Sequence, residues 1–255
     1  MRIALAGKGG AGKTTIAATL ARLQARDGAQ VVAIDADSNP NLGSALGIEP
    51  GLLTTAGFLP ASLVSRRLHG SALTAPVEEV LRSHGAVGPD GVRLVCMGAP
   101  GHADEGCLCS AHATVSALLS DLGRAPDMTA VVDLEASPEH LSRGTARHAD
   151  VLLLVTEPYF RSLEAVRRLS ALAAELPIGT VAVVVNKVRS AAEAQGVAEF
   201  CERHGLARLG EVPWSDEVVS ADQAAQPLLD AAPAGAVAAA IADLSARLPQ
   251  SAHIQ

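Results

Sequence analysis

The segment Gly7-Lys8-Gly9-Gly10-Ala11-Gly12-Lys13-Thr14-Thr15 limits the possible folds more than any other part of this 255-residue chain. It follows a short apolar run, residues 2–6, and it opens a helical pattern near Thr14. A strand, a glycine-rich turn and a helix are the context in which G-x-x-x-x-G-K-[ST] forms a phosphate-binding loop. Glycines have no Cβ, so backbone N–H groups can point at phosphate oxygens, and the helix N-terminus adds unpaired donors. The alternative is a glycine-rich β–α turn without a ligand.

Each residue type in this loop has a chemical role in phosphate binding. Lys13 can reach the β- and γ-phosphates, and the Thr14 hydroxyl can hold Mg²⁺. We therefore predict an ATP site with Mg²⁺ as cofactor, formed by Gly9, Gly10, Ala11, Gly12, Lys13, Thr14 and Thr15.

Length and composition favour one domain with an aliphatic core. The chain is 49 % hydrophobic but only 2 % aromatic, and 255 residues suffice for one doubly wound α/β domain, residues 1–255. A formal charge of −7 disfavours general binding to nucleic acid or to an anionic membrane. The apolar start leads directly into the loop, so we expect no signal peptide and a cytoplasmic protein. Four cysteines in such a chain indicate thiols or metal binding.

Three carboxylates follow predicted buried strands. Residues 31–34 lead into Asp35, with Asp37 in the polar loop that follows, and residues 129–132 lead into Asp133. Open parallel sheets bind ligands at the carboxyl ends of their strands. Asp133 has the position from which a Walker B carboxylate binds magnesium. For Asp35 and Asp37 the alternative is a loop capped by two carboxylates. The pattern predicts an α/β fold with a single, mostly parallel sheet flanked by helices.

Lys8, directly after the first glycine, gives the loop the form K-G-G-x-G-K-T-T. This resembles the deviant Walker A loop of the family that holds nitrogenase iron protein, MinD, ParA and the CooC-type nickel-insertion ATPases. The resemblance implies a homodimer in which Lys8 reaches the partner's nucleotide, Asp37 orients the attacking water and Asp35 helps to position magnesium. The alternative for Lys8 is a solvated loop cation. The chain has only three lysines, Lys8, Lys13 and Lys187, which favours a role on phosphate.

Two cysteines in the segment Gly106-Cys107-Leu108-Cys109-Ser110 are candidate metal ligands. On an extended chain Cys107 and Cys109 face the same way, and two copies related by a two-fold axis would complete a four-sulfur site. The segment resembles the metal-binding C-x-C of the CooC-type ATPases, which implies Ni²⁺ or Zn²⁺ between subunits, although Ser110 stands where that family often has proline. Two incidental loop cysteines are the alternative. His102 and His112 flank the pair and are either substitute ligands or surface or capping histidines.

The later segments resemble further motifs of the same family. Residues 133–144 resemble the CooC-type second switch, with Ser137 in place of a glycine, which puts the hydrolysis rate in question. Glu139, His140 and Arg143 are either a charged surface that changes with the switch or ordinary solvated charges.

Asn186 resembles the adenine-reading residue, and the alternative is a turn asparagine. Pro213 lies in a segment that resembles the family's loop that packs on the purine, and Trp214 would cover the base or a neighbouring helix.

The resemblance implies an ATP hydrolase that serves as a dimeric metallochaperone. Its implied recipient is carbon monoxide dehydrogenase or another nickel enzyme, and Lys8, Lys13, Asp37 and Asp133 would act in hydrolysis. Two alternatives belong to other classes of protein: a ParA/MinD-like positioning ATPase, and a nucleotide-gated regulator with weak hydrolysis. The absence of a basic terminal helix disfavours the first of these, and Ser137 keeps the second open.

Overall fold

In this computed structural model the described residues are 1–64, 73–98 and 109–249. They form one sheet in the order β3-β4-β2-β5-β1-β6-β7-β8. All neighbouring strands are parallel except the short edge strand β3, which pairs antiparallel with β4. The strands are β1 Arg2–Gly7, β2 Gln30–Ala36, β3 Ala86–Val87, β4 Arg93–Cys96, β5 Met128–Leu134, β6 Val151–Thr156, β7 Thr180–Val188 and β8 Arg208–Pro213.

Helices cover both faces of this sheet. They are α1 Lys13–Arg26, α2 Leu42–Leu46, α3 Pro50–Ala56, α4 Val77–His84, α5 Cys109–Leu122, α6 Glu139–Ser142, α7 Phe160–Ala173, α8 Ala191–Arg203, α9 Asp216–Gln223, α10 Leu228–Ala231 and α11 Ala236–Ala246. Two 3₁₀ turns, Ala61–Leu63 and Pro89–Gly91, complete the described elements. The predicted doubly wound α/β fold is confirmed.

Successive side chains of each strand point to opposite faces of the sheet, so the core consists of two aliphatic clusters. On β1, Ile3 and Leu5 pack with Ile16 and Leu20 of α1, whereas Ala4 and Ala6 belong to the cluster on the opposite face. Because both faces of a parallel sheet are covered, its strands are apolar almost without interruption. The burial of β5 is complete, since all seven of its residues are buried.

The structure corrects the predicted geometry of the cysteine motif. Cys109 lies in α5, so it is helical and not on an extended chain as predicted. Cys107 and His102 lie outside the described residues. Within 50–90, the α-helices of the described part are Pro50–Ala56 and Val77–His84.

No helix in the described ranges is long and apolar enough to cross a membrane.

Candidate functional site

The phosphate-binding loop and the candidate carboxylates meet at the carboxyl edge of the sheet. The loop joins β1 to α1, and β5 lies beside β1 with Leu5 and Asp133 in register. On the other side of β5, Asp35 of β2 is the register partner of Asp133. The strand order therefore places the ends of three neighbouring strands around the loop, as was expected from the sequence.

Asp133 lies against the N-terminus of α1. The Thr14 Oγ1 hydroxyl donates to Asp133 Oδ2 over 2.5 Å, whereas Asp133 Oδ1 is buried and has no hydrogen-bond partner among the described residues. Burial, above all, raises the pKa of Asp133 to about 7, with Asp35 and Asp37 adding to the rise. A buried carboxylate oxygen without a partner costs free energy. A bound cation would supply the missing partner.

Lys13 is buried, with 7 % of its surface exposed. Burial lowers its pKa, and the nearby carboxylates of Asp133, Asp37 and Glu135 oppose that effect. The cation and Asp133 thus occupy one poorly solvated site at the start of α1, where the phosphate loop was expected.

Asp35 organises the polar loop that follows β2, residues 36–42. Its two carboxylate oxygens accept from the backbone N–H groups of Asp37, at 3.2 Å, and Leu42, at 2.8 Å. Burial raises the pKa of Asp35 to about 6. Asp37 Oδ1 in turn accepts from the backbone of Asn39 at 2.8 Å. In this structure Asp35 therefore acts on the loop backbone, and its predicted contribution to magnesium binding remains a proposal.

Asn186 lies within β7, not at its end, and its amide holds the phosphate loop. Nδ2 donates to the Ala11 carbonyl over 2.8 Å, and Oδ1 accepts from the backbone of Lys187 at 2.9 Å. The side chain is buried, with 8 % exposed. These contacts give Asn186 a structural role in addition to the predicted reading of adenine.

A network around Glu157 was not predicted from the sequence. Lys187 Nζ donates to the Gly10 carbonyl at 2.6 Å and to Glu157 at 2.9 Å. Tyr159 donates its hydroxyl to the same carboxylate at 3.1 Å and accepts from Lys8 Nζ at 3.1 Å. Two of the three lysines are therefore connected to one acidic residue, Lys187 directly and Lys8 through Tyr159. Their scarcity in the chain was the signal that could have linked Lys187 to Lys8.

A cavity of about 270 Å³ opens beside the start of α1. Its walls include Thr14, Thr15 and Asn41 on one side and Val218, Asp222 and Gln226 of the α9 region on the other. The α9 wall was missed by sequence reasoning because this segment carries no recognisable motif. The cavity continues from the phosphate loop, which makes it a candidate for the nucleoside.

Pro213 ends β8, and Trp214 follows it close to Val188 and Arg189. The backbone N–H of Trp214 donates to the Val188 carbonyl at 2.9 Å, which ties the end of β8 to β7. The Arg189 guanidinium lies 4.0 Å from the centre of the indole ring, and a cation stacked on an indole face is a favourable contact. Arg189 therefore covers Trp214, and the predicted contacts of Pro213 and Trp214 with a purine remain proposals.

Residues 133–145, which contain the segment that resembles the second switch (133–144) and are called the second switch below, differ from the predicted charged surface. Glu139 and Arg143 do form an exposed ion pair at 3.0 Å. His140, however, is only 1 % exposed, and burial lowers its pKa to about 3, so the ring is neutral at physiological pH. Ser137 accepts from the backbone of Glu139 at 3.1 Å, and its own N–H donates to the Glu135 carbonyl at 2.7 Å. The placement of His140 as a charged surface residue was wrong.

The second switch contacts α5 at Cys109. Arg143 Nη1 donates to Cys109 Sγ over 2.9 Å. His112, one turn further along α5, is buried and bonds to Thr145 Oγ1 at 3.2 Å, so it is not the surface histidine that was considered. In residues 1–64, 73–98 and 109–249 no group of three or more His, Cys, Asp or Glu side chains is arranged for a metal ion. The predicted site needs Cys107, which lies outside those ranges.

Comparison with known proteins identifies the family. The model of the CobQ/CobB/MinD/ParA nucleotide binding domain matches residues 3–228. The carbon monoxide dehydrogenase accessory protein CooC of Rhodospirillum rubrum is 34 % identical over 244 residues, which cover 92 % of this chain and 91 % of that protein. An uncharacterized ATP-binding protein of Methanocaldococcus jannaschii is 33 % identical, with 89 % and 91 % covered.

Solved structures agree on the fold. The MinD cell division protein of Aquifex aeolicus superimposes with a TM-score of 0.71 at 21 % identity, covering 97 % of this chain and 96 % of that one. A ParA family ATPase of Chlorobium tepidum gives a TM-score of 0.67 at 18 % identity, with 97 % and 98 % covered. At these identities the likeness concerns the fold alone.

Proposed function

Because the chain belongs to the CobQ/CobB/MinD/ParA family of nucleotide-binding domains, we propose that it is a Mg-dependent ATP hydrolase acting as a nucleotide-switched, dimeric metallochaperone. Its cargo is a divalent metal, Ni²⁺ or Zn²⁺, held by Cys107 and Cys109 of both protomers. The recipient is carbon monoxide dehydrogenase or another nickel enzyme, which the similarity to CooC supports. One observation carries the proposal: Cys109 of the candidate metal motif contacts Arg143 of the second switch.

The residues at the loop fit a magnesium ion. Asp133 Oδ1 is a buried carboxylate oxygen without a partner in the described part of the chain, and the Thr14 hydroxyl lies at the other oxygen of the same group. Hard oxygen ligands of this kind suit Mg²⁺. Thr14 and Asp133 would hold the ion, with Asp35 supporting the adjacent loop. Bound magnesium would neutralise charge on the triphosphate.

The remaining residues act by position and charge. Backbone N–H groups of residues 9–15 cradle the phosphates, and Lys13 places its ammonium on them. Asp37 orients the attacking water, and Lys8 of one protomer neutralises charge on the partner's triphosphate. The cavity beside Thr15 receives the nucleoside. Asn186 is assigned to the adenine. Catalysis of phosphoryl transfer consists mostly of such positioning and electrostatic stabilisation.

Replacing Cys107 and Cys109 with Ser should abolish metal binding. Cys109 is disulfide-bonded in this structure, so the protein is first reduced, because only a thiolate is a good ligand. Elemental analysis of protein dialysed against Ni²⁺ or Zn²⁺ should then give one ion per dimer for the wild type. A hydroxyl is a poor ligand for these metals, so the double variant should fall at least ~10-fold in bound metal.

The matched control is Cys96→Ala. Cys96 is a half-buried thiol whose pKa burial raises to about 12, so it is not ionised at neutral pH and should not contribute a ligand. Its removal should leave the metal content unchanged. One ion per dimer retained by the Cys107→Ser/Cys109→Ser protein would remove these residues from the site.

Replacing Lys8 with Ala should lower ATP hydrolysis about 100-fold or more, because a cation supplied across an interface acts on the charge of the transferring phosphoryl group. Binding of ATP to the monomer should change little, since Lys13 remains. The measurement is phosphate release as a function of protein concentration, and the wild-type specific activity should rise as dimers form. Tyr159→Phe, which removes a partner of Lys8 but not the cation, is the control and should stay within a few-fold of wild type. A wild-type rate per chain that is independent of concentration would contradict the dimeric mechanism.

A further inference from the structure

Two buried histidines connect the second switch to α5. The rings of His112 on α5 and His140 on α6 meet edge to face, with centroids 4.5 Å apart and an interplanar angle of 71°. Both side chains are buried, at 5 % and 1 % exposure. Such a pair fixes the position of one helix relative to the other, because interiors are tightly packed.

The ring of His140 is not satisfied in this arrangement. Neither Nδ1 nor Nε2 has a hydrogen-bond partner among the residues that the structure describes. His112, in contrast, bonds through Nδ1 to Thr145. Buried polar groups nearly always have partners, and an isolated one destabilises the state in which it is found. A buried imidazole with two unsatisfied nitrogens is therefore suited to a segment that adopts a second arrangement.

The surroundings of His140 connect the nucleotide loop to the cysteine motif. On one side, the second switch lies against the phosphate loop, since a Cβ placed on Gly9 would be 3.6 Å from the Cβ of Ala136. On the other side, the second switch contacts α5 through three side-chain pairs. These are His140 with His112, Thr145 with His112, and Arg143 with Cys109.

We propose that His140 is a positioning residue that transmits the nucleotide state of the second switch to α5, and hence to the cysteine motif, through its contact with His112. In the nucleotide-bound arrangement the ring nitrogens of His140 gain partners, and the switch moves α5 with it. The metal affinity of the motif then differs between the ADP and ATP forms. The metal-affinity part of this inference rests on the proposed function, whereas the movement of α5 does not.

His140→Phe tests the proposal because it keeps an aromatic ring against His112 but removes both unsatisfied nitrogens. The variant should unfold at the same temperature as wild type or at a higher one, which excludes loss of the fold as an explanation. The dissociation constant for Ni²⁺ is measured on reduced protein with ADP and with a slowly hydrolysed ATP analogue. We expect at least a ~5-fold difference between the two nucleotides for wild type and less than about 2-fold for His140→Phe. His204→Phe, an exposed histidine just beyond α8, is the matched control and should behave as wild type.

A second readout does not depend on metal. Amide hydrogen exchange across 109–122 should change when the ATP analogue replaces ADP in wild type, and this response should be lost in His140→Phe. If α5 responds in this way but the protein binds no metal, the coupling stands and the proposed metallochaperone function fails. If His140→Phe keeps the wild-type response of α5, or keeps the wild-type ratio of metal affinities, the role assigned to His140 is wrong.

Discussion

Asp133→Asn should stabilise the protein in the absence of nucleotide and magnesium, and it should also reduce Mg-dependent ATP hydrolysis by a factor on the order of 10²–10³. The stabilisation follows from the environment of the carboxylate, which is 2 % exposed and leaves Oδ1 without a partner in the described structure. The loss of activity follows from the same oxygen, because an amide is a poorer ligand for Mg²⁺ than a carboxylate.

The pH dependence of this stabilisation has a definite sign. The pKa of Asp133 is about 7 in the folded protein, mainly because of burial, against an ordinary value of 3.8. Between these pH values the folded state binds more protons than the unfolded state, so the wild type loses stability as pH rises through this window. Asn does not titrate. The advantage of Asp133→Asn should therefore be absent below pH 3.8 and reach about 1–3 kcal/mol near pH 7.

Chemical denaturation at several pH values, without magnesium, measures this difference. Asp35→Asn is the matched comparison, because burial also raises the pKa of Asp35, to about 6, yet both of its oxygens accept backbone hydrogen bonds. The amide replaces one of those acceptors with a donor, so Asp35→Asn should gain less stability or lose some. An Asp133→Asn protein that is less stable than wild type at pH 7 would contradict the argument.

The sequence predicted those parts of the site whose roles follow from residues that are close together in the chain. The loop at 7–15 carries its own glycines, cations and helix start, and the aliphatic runs before Asp35 and Asp133 predict buried parallel strands. Once such strands are adjacent, their carboxyl ends must lie together. Short-range patterns therefore sufficed to place Lys13, Thr14 and Asp133 in one site, and the structure brings them together.

The contacts that were missed join residues far apart in the chain. Lys8 meets Tyr159 and Lys187 meets Gly10 because β6 and β7 lie in order beside β1. No local pattern around Tyr159 or Glu157 signals such pairing. His140 shows a related difficulty, since a histidine in a segment with charged neighbours resembles a surface position. Its burial depends on packing against α5, which the sequence of the switch alone does not specify.

Gly12→Ala should weaken ATP binding about 100-fold or more and also destabilise the fold. Gly12 has φ +93°, a left-handed conformation that costs roughly 1–2 kcal/mol for a residue with a side chain. In addition, a Cβ at this position would collide with the amide nitrogen of Asn186. That nitrogen donates to the Ala11 carbonyl, so relieving the collision requires breaking a bond that shapes the loop. The backbone N–H groups of the loop would then no longer point together at the phosphates.

Gly28→Ala separates the effect of the left-handed backbone conformation from the effect of the collision with Asn186. Gly28 has φ +95°, nearly the same as Gly12, but a Cβ there would meet no other atom within 4 Å. Gly28→Ala should therefore lose stability through the backbone alone and keep the affinity of wild type for ATP, measured by calorimetry. Gly12→Ala/Asn186→Ala, which removes the collision but not the strain, should not restore binding fully, because Asn186 also holds the loop. If Gly12→Ala binds ATP as tightly as Gly28→Ala does, the contact between Asn186 and the loop does not control the shape of the phosphate site.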